Sequence, residues 1–193
     1  MILCAVLVLL VKWMDDLQPS IFVMPVIALA IVIILYVRFL KKAASRLIFK
    51  KFILTAFTLV FIMNLAWELL HGPLYKDYTF ETKMISFCAL ASVADAVMVL
   101  LLYFIFALIY KDPFWIADLS FKSGFFLMIV GGIGAVLAEI RHTSEGNWAY
   151  DESMPIIPFV GAGLSPVLQF ILLPLLIYYL SFYLIKKKMR KQF

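Results

Sequence analysis

Charge is what this chain has least of: Asp, Glu, Lys and Arg together make up 15% of the residues. An ordinary soluble domain carries about a quarter. With 65% hydrophobic residues and a mean hydropathy of +1.04, the shortage excludes a conventional water-soluble fold and implies an integral membrane protein. Cysteine is nearly absent too. Cys4 and Cys88 both fall in apolar segments, which excludes a disulfide framework and a cysteine-built zinc site. No repeat, low-complexity stretch or dinucleotide fingerprint occurs, and the reading calls for no cofactor. The net charge of +5 does not indicate nucleic acid, because the basic residues sit in short clusters beside apolar runs.

What is present is long hydrophobic runs. About 20 apolar residues span a bilayer as a helix, and five segments meet that length: 20 to 39, 52 to 71, 84 to 109, 121 to 140 and 164 to 185. The expected fold class is an all-α integral membrane bundle of five spans forming one domain over residues 1–193. The run from Ile2 to Trp13, ending at Asp15, Asp16 and Pro19, is a candidate sixth, short span or an interfacial helix. It makes a poor signal peptide, lacking a basic leader and a small-residue cleavage site.

Lysines and arginines set the expected orientation. Arg38, Lys41, Lys42, Arg46, Lys50 and Lys51, then Lys111 and Lys122, then Lys186, Lys187, Lys188, Arg190 and Lys191 all fall on one side if the five spans alternate. By the positive-inside rule that side, with the C-terminus, is cytoplasmic. The small-residue set Gly131, Gly132, Gly134, Ala135 and Ala138 has spacings of four that let helices approach closely. The Gly161 and Gly163 pair carries no phosphate-binding pattern either.

Two Glu-x-x-His pairs, Glu68 with His71 and Glu139 with His142, lie at the outer ends of their runs, and Asp95 lies inside a third. Ionisable groups in a membrane segment face an interior or a cavity and mark candidate sites. A carboxyl in the last turns of a helix meets the negative end of the helix dipole and apolar surroundings, both adverse to an anion, so Glu68 and Glu139 are candidate proton donors. Asp95, flanked by Ala94 and Ala96 with no basic residue near in sequence, needs a partner from another helix: Asn64, His71, Gln169 or a tyrosine.

Blander readings stand beside these. Glu139 could pair with Arg141 or His142 at the interface, and Glu68 could reach solvent just before Gly72 and Pro73, near Lys76. Paired Glu-x-x-His motifs also form carboxylate-bridged di-metal bundles, with Glu68, His71, Glu139 and His142 as the ligand set here. Against that, Asp95 lies roughly 18 Å along its span by helix rise, whereas Glu68 and Glu139 sit near the outer end, and a fourth carboxylate is missing. The loop after the fourth span, with Trp148, Tyr150, Pro155, Pro158 and Gly161, suggests a shaped, partly inserted lid. Trp67 directly precedes Glu68, so an aromatic wall beside the acids is expected, suited to a polyene or other lipid.

The pattern Asn64-Leu-Ala-Trp67-Glu68, Pro73-Leu-Tyr75, Asp95, Ala138-Glu139, Gly146-Asn-Trp148-Ala-Tyr150, Met154-Pro155-Ile-Ile-Pro158 and Pro166-Val-Leu-Gln169 resembles a widespread group of small bacterial polytopic membrane proteins. More distantly, an acidic residue followed by Gly-x-Trp-x-Tyr and proline is similar to the integral-membrane carotenoid lycopene cyclases. Those carry a Pro-x-Glu-Glu-type motif where this chain has Pro166, Val167, Leu168 and Gln169. The resemblance implies protonation of a long polyene by carboxylates. The expectation is therefore a bacterial inner-membrane enzyme of acid/base type acting on a lipid or isoprenoid. Glu68 and Glu139 would be donor and acceptor, Asp95 a deeper orienting group and His71 an accessory one. Asn64, Trp67, Trp148, Tyr150 and Gln169 would line the substrate. The alternative is a small carrier or accessory subunit whose acids bind a proton, a cation or a cationic substrate. No protein partner is specified.

Overall fold

Burying backbone polar groups without water requires internal hydrogen bonding, and long uncharged runs meet that requirement as helices. The computed structural model describes residues 20–190, so the possible short span at residues 2 to 13 lies outside the described residues. Five long helices are present: α1 (Ser20–Lys42), α2 (Arg46–His71), α3 (Thr82–Tyr110), α4 (Phe121–Ser144) and α5 (Leu164–Arg190). All five are long and apolar enough to cross a membrane. Each of the five expected spans therefore corresponds to one helix, and the helices exceed the expected spans by a few residues where polar end groups extend the last turn.

Local chemistry fixes the ends. Ser45 caps α2, its hydroxyl accepting from Ile48 N at 3.4 Å. Ser120 and Ser123 form a reciprocal capping box at the start of α4. At the end of α3, Lys111 adopts the left-handed conformation with φ 57°. A 3₁₀ turn, Gly72–Leu74, closes α2, and a second, Trp115–Asp118, lies between α3 and α4.

α2 packs mainly on α3 and α5, α4 packs on α5, and α1 packs on α3. The α4/α5 contact depends on the small residues. A Cβ on Gly131 would lie 2.3 Å from the Phe170 carbonyl oxygen, and one on Gly132 would lie 2.9 Å from Ile171 Cγ1. Ala135 is buried on the same face. Gly134 has nothing within 4 Å of a built Cβ, and Ala138 is exposed, so the second half of the expected small-residue face points away from the bundle.

At the end of the bundle that carries the basic clusters, aromatic rings fill the core. Phe39, Phe49, Phe52, Tyr103, Phe104, Phe106 and Tyr178 are each at most 2% exposed. Polar atoms among them are satisfied by the backbone: Trp115 Nε1 donates to Tyr103 O at 3.2 Å, Tyr103 OH to Pro113 O, and Tyr178 OH to Val99 O. This plug ties α1, α2, α3 and α5 together at one end. The other end carries the polar residues.

Candidate functional site

On α2, Asn64, Glu68 and His71 recur at spacings of four and three and share one face. Asn64 Nδ2 donates back to Val60 O at 2.7 Å, which turns its Oδ1 out toward α5. There Gln169, 1% exposed, meets it with Nε2 at 2.8 Å. The same nitrogen lies 3.2 Å from Glu68 Oε1 and 3.1 Å from Asp95 Oδ2. Three helices thus contribute to one knot: α2 with Asn64 and Glu68, α3 with Asp95, α5 with Gln169. Of the partners expected for Asp95, namely Asn64, His71, Gln169 or a tyrosine, it is Gln169 that bonds it.

The expected difference in depth between Asp95 and Glu68 is corrected by this geometry. α2 stops at His71, but the chain runs on through a ten-residue connection, residues 72–81, before α3 begins at Thr82. The first turns of α3 precede the level of the knot, so a residue about 20 Å along α3 by helix rise meets one in the last turns of α2. Counting residues from the start of a run assumes that both helices end at the same height, and these do not.

His71 bridges outward. Its Nδ1 is 3.0 Å from Ser165 Oγ in the first turn of α5, and its Nε2 is 3.3 Å from Glu68 Oε2 without hydrogen-bond alignment. Beyond it the ring packs edge-on against Tyr75, with centroids 5.4 Å apart.

Glu139 forms the second half of the site. It is 6% exposed and accepts from Tyr150 OH at 2.5 Å and from Trp148 Nε1 at 3.3 Å. The interfacial pairing of Glu139 with Arg141 or His142 does not occur. Arg141 reaches Glu145 at 2.9 Å, while His142 bonds Asn147 at 2.9 Å and stacks on Trp148 with centroids 4.3 Å apart. The Trp148 ring face and the Asn147 carboxamide thus hold His142 away from His71. Among the described residues no group of three or more His, Cys, Asp or Glu side chains converges in a way that could hold a metal ion. Trp67 packs partly into the main core, and its indole N–H is buried with no hydrogen-bond partner among the described residues.

Two residues join the site that were not proposed as members from the sequence, Ser165 and Tyr75. Tyr75 lies just past the end of α2, pairs as an isolated antiparallel bridge with Tyr150, and has its ring 5.6 Å from that of Tyr150. Burial, then the carboxylates of Glu139 and Glu68, hold its phenol well above the usual tyrosine range. Tyr75 thus feels both acidic centres and stays a proton donor. Burial and the bond to Glu139 also raise the Tyr150 phenol. The available signal for Tyr75 was its place directly after the Glu68-x-x-His71 turn.

The fold and the site together define a class: an all-helical protein with five helices apolar enough to cross a membrane and, at one end, the buried Glu139 with the partly buried Glu68 and Asp95. No protein-family model, curated protein or solved structure matches the chain, and the resemblances described above rest on their motifs alone.

Proposed function

We propose that this chain is an integral membrane protein whose outer-end site performs acid/base chemistry on a lipid or isoprenoid, with the C-terminus and basic clusters on the cytoplasmic side of a bacterial inner membrane. The observation that carries the reading is the proton count at Gln169. Its amide nitrogen has two protons, yet three acceptor oxygens, from Asn64, Glu68 and Asp95, lie within 3.2 Å of it. A proton held between the Glu68 and Asp95 carboxyls supplies the missing donor. That pair is then a proton store facing Glu139, with the Tyr75 phenol and the His71 imidazole between them.

In this scheme Glu68 delivers a proton to one carbon of a substrate double bond, and the substrate becomes cationic. Glu139 removes a proton from a neighbouring carbon, so the net change is isomerisation or ring closure with no oxidant required. Asp95 and Gln169 orient Glu68, and the ring faces of Tyr75, Trp148 and Trp67 steady the positive charge. A second reading is favoured by one feature: the partners of the acid pair are an amide and an imidazole rather than a lysine or arginine. That arrangement also suits a carrier or accessory subunit that takes up a proton or a cationic substrate.

The test begins with lipid extraction and native mass spectrometry of protein purified gently from membranes, which supplies the substrate candidate. Glu68→Gln and Glu139→Gln are each expected to abolish its turnover while the bundle stays folded. Full turnover in both variants overturns the acid/base assignment. Uptake into proteoliposomes that responds to a pH gradient and is lost in Asp95→Asn would establish the carrier reading instead.

A further inference from the structure

From Met154 to Ile185 the chain contains no charged residue and no histidine, yet α5 begins only at Leu164. The ten residues before it form a hairpin. Leu164 N donates to Pro155 O at 2.7 Å, Ile157 N to Ala162 O at 2.9 Å, and Gly161 N to Ile157 O at 3.1 Å. With Val160 N to Ile157 O at 3.3 Å, four backbone bonds thus close the hairpin, which meets in part the need of non-helical chain at membrane depth for internal bonding.

The hairpin's height follows from the α4/α5 register. Gly131 faces Phe170 and Gly132 faces Ile171. Near the hairpin base, Gly163 N donates to Tyr150 OH, which in turn donates to Glu139. Nearer the tip, Ala162 joins Ala135 and Val167 in a buried cluster, with Ile157 and Val136 packed against it. By helix rise, Glu139 and Ala135 lie roughly 8 and 13 Å below the end of α4, where Arg141 and Glu145 form the polar rim. The hairpin thus packs along α4 beneath the charged rim, with Ala162 beside Ala135.

The tip residues are apolar and uncovered. Phe159 is fully exposed and held at φ 65°, a backbone region that bulky residues rarely adopt. Ile156 and Val160 are exposed beside it. Below lies an apolar groove of about 330 Å³ between α4 and α5, lined by Ile129, Gly132, Ile133, Val136, Val167 and Ile171 among others.

We propose that residues 155–163 are a re-entrant hairpin that inserts Ile156, Phe159 and Val160 into the outer leaflet of the bilayer. The inference rests on the membrane reading given above and adds the segment of non-helical chain that meets the bilayer.

The test uses site-directed nitroxide labelling of the full chain, with Cys4 and Cys88 replaced by alanine, in phosphatidylethanolamine/phosphatidylglycerol vesicles. Labels are attached to Phe159→Cys and Ile156→Cys variants. Ile133→Cys serves as a mid-helix reference and Glu152→Cys as a loop reference. The expected result is collision with oxygen at positions 159 and 156 as frequent as at 133, with collision with a water-soluble nickel chelate several-fold below that at 152. Chelate access at 159 and 156 equal to that at 152, while 133 remains lipid-exposed, overturns the hairpin insertion and leaves the membrane reading standing. Labels at 159 and 156 shielded from both reagents overturn it as well, in favour of a protein cover such as a second copy. Chelate access at position 133 overturns the membrane reading itself.

Discussion

Glu68, in the last turns of α2, and Asp95, well inside α3, point their carboxyls at the same Gln169 nitrogen, at 3.2 and 3.1 Å. Such a knot is sensitive to loss of its shared donor. Gln169→Leu leaves the Asn64, Glu68 and Asp95 oxygens short of a donor, at a cost of about 1–3 kcal/mol for each orphaned buried group. A fall in the thermal midpoint in detergent, larger than that of the neighbouring exposed Leu172→Ala, is the expected outcome. An unchanged midpoint contradicts the arrangement.

A proton stored between Glu68 and Asp95 has a spectroscopic signature. Infrared spectra of the purified protein should show a protonated-carboxyl stretch that disappears in both Glu68→Gln and Asp95→Asn, since either change removes one half of the pair. If the band persists in both variants, the stored proton lies elsewhere.

Tyr150 OH donates to Glu139 and accepts from Gly163 N at 2.9 Å. Tyr150→Phe removes both bonds, leaving Glu139 with Trp148 alone and the buried Gly163 N–H without its partner, at a cost of about 1–3 kcal/mol. The effect should be local. Faster amide exchange in residues 155–163, with the cores of α2 and α3 unchanged, is the expected pattern, and uniform protection throughout would argue against Tyr150 as the clasp.

The two raised phenols give a pH prediction. Tyr75 is raised by burial and then by the carboxylates of Glu139 and Glu68, and Tyr150 by burial and then by its bond to Glu139. A folded-state value above the unfolded one means that the fold binds the proton more tightly. Stability from these groups is therefore complete below the ordinary tyrosine value of about 10 and declines as pH rises past it. Ultraviolet titration of the folded protein should show tyrosinate forming later than in the unfolded chain, and the delay should shrink in Tyr75→Phe.

Gly131 and Gly134 provide an internal contrast. A Cβ at 131 would sit 2.3 Å from the Phe170 carbonyl oxygen, whereas one at 134 meets nothing. Gly131→Ala should destabilise by about 1–3 kcal/mol through overpacking. Gly134→Ala should be neutral, or stabilising by up to about 1 kcal/mol through helix propensity. Equal midpoints for the two variants would be inconsistent with the α4/α5 contact.

The sequence by itself determined the five apolar helices, although α2 begins at Arg46, behind its cap Ser45, rather than at the expected 52. Hydropathy, the serines at 45 and 120, and basic residues such as Lys41 and Lys42 act through their own segment, and a local property can be read from a local string. It also supplied most of the candidate site residues, because a carboxyl such as Asp95 between alanines is costly unless something answers it. Only the tertiary structure decided which residues answer which. Asp95 meets Glu68 because residues 72–81 offset the start of α3 from the end of α2, a height difference that no residue count within either run contains. Glu139 meets Tyr150 and Trp148 rather than Arg141 because the chain folds back over α4, and His142 is held off by Asn147 and Trp148. Gly131 faces a neighbour while Gly134 does not because helix rotation about its own axis is fixed by packing against α5. Offsets, rotations and loop returns are relations between segments, and they are set by the packing of the whole bundle.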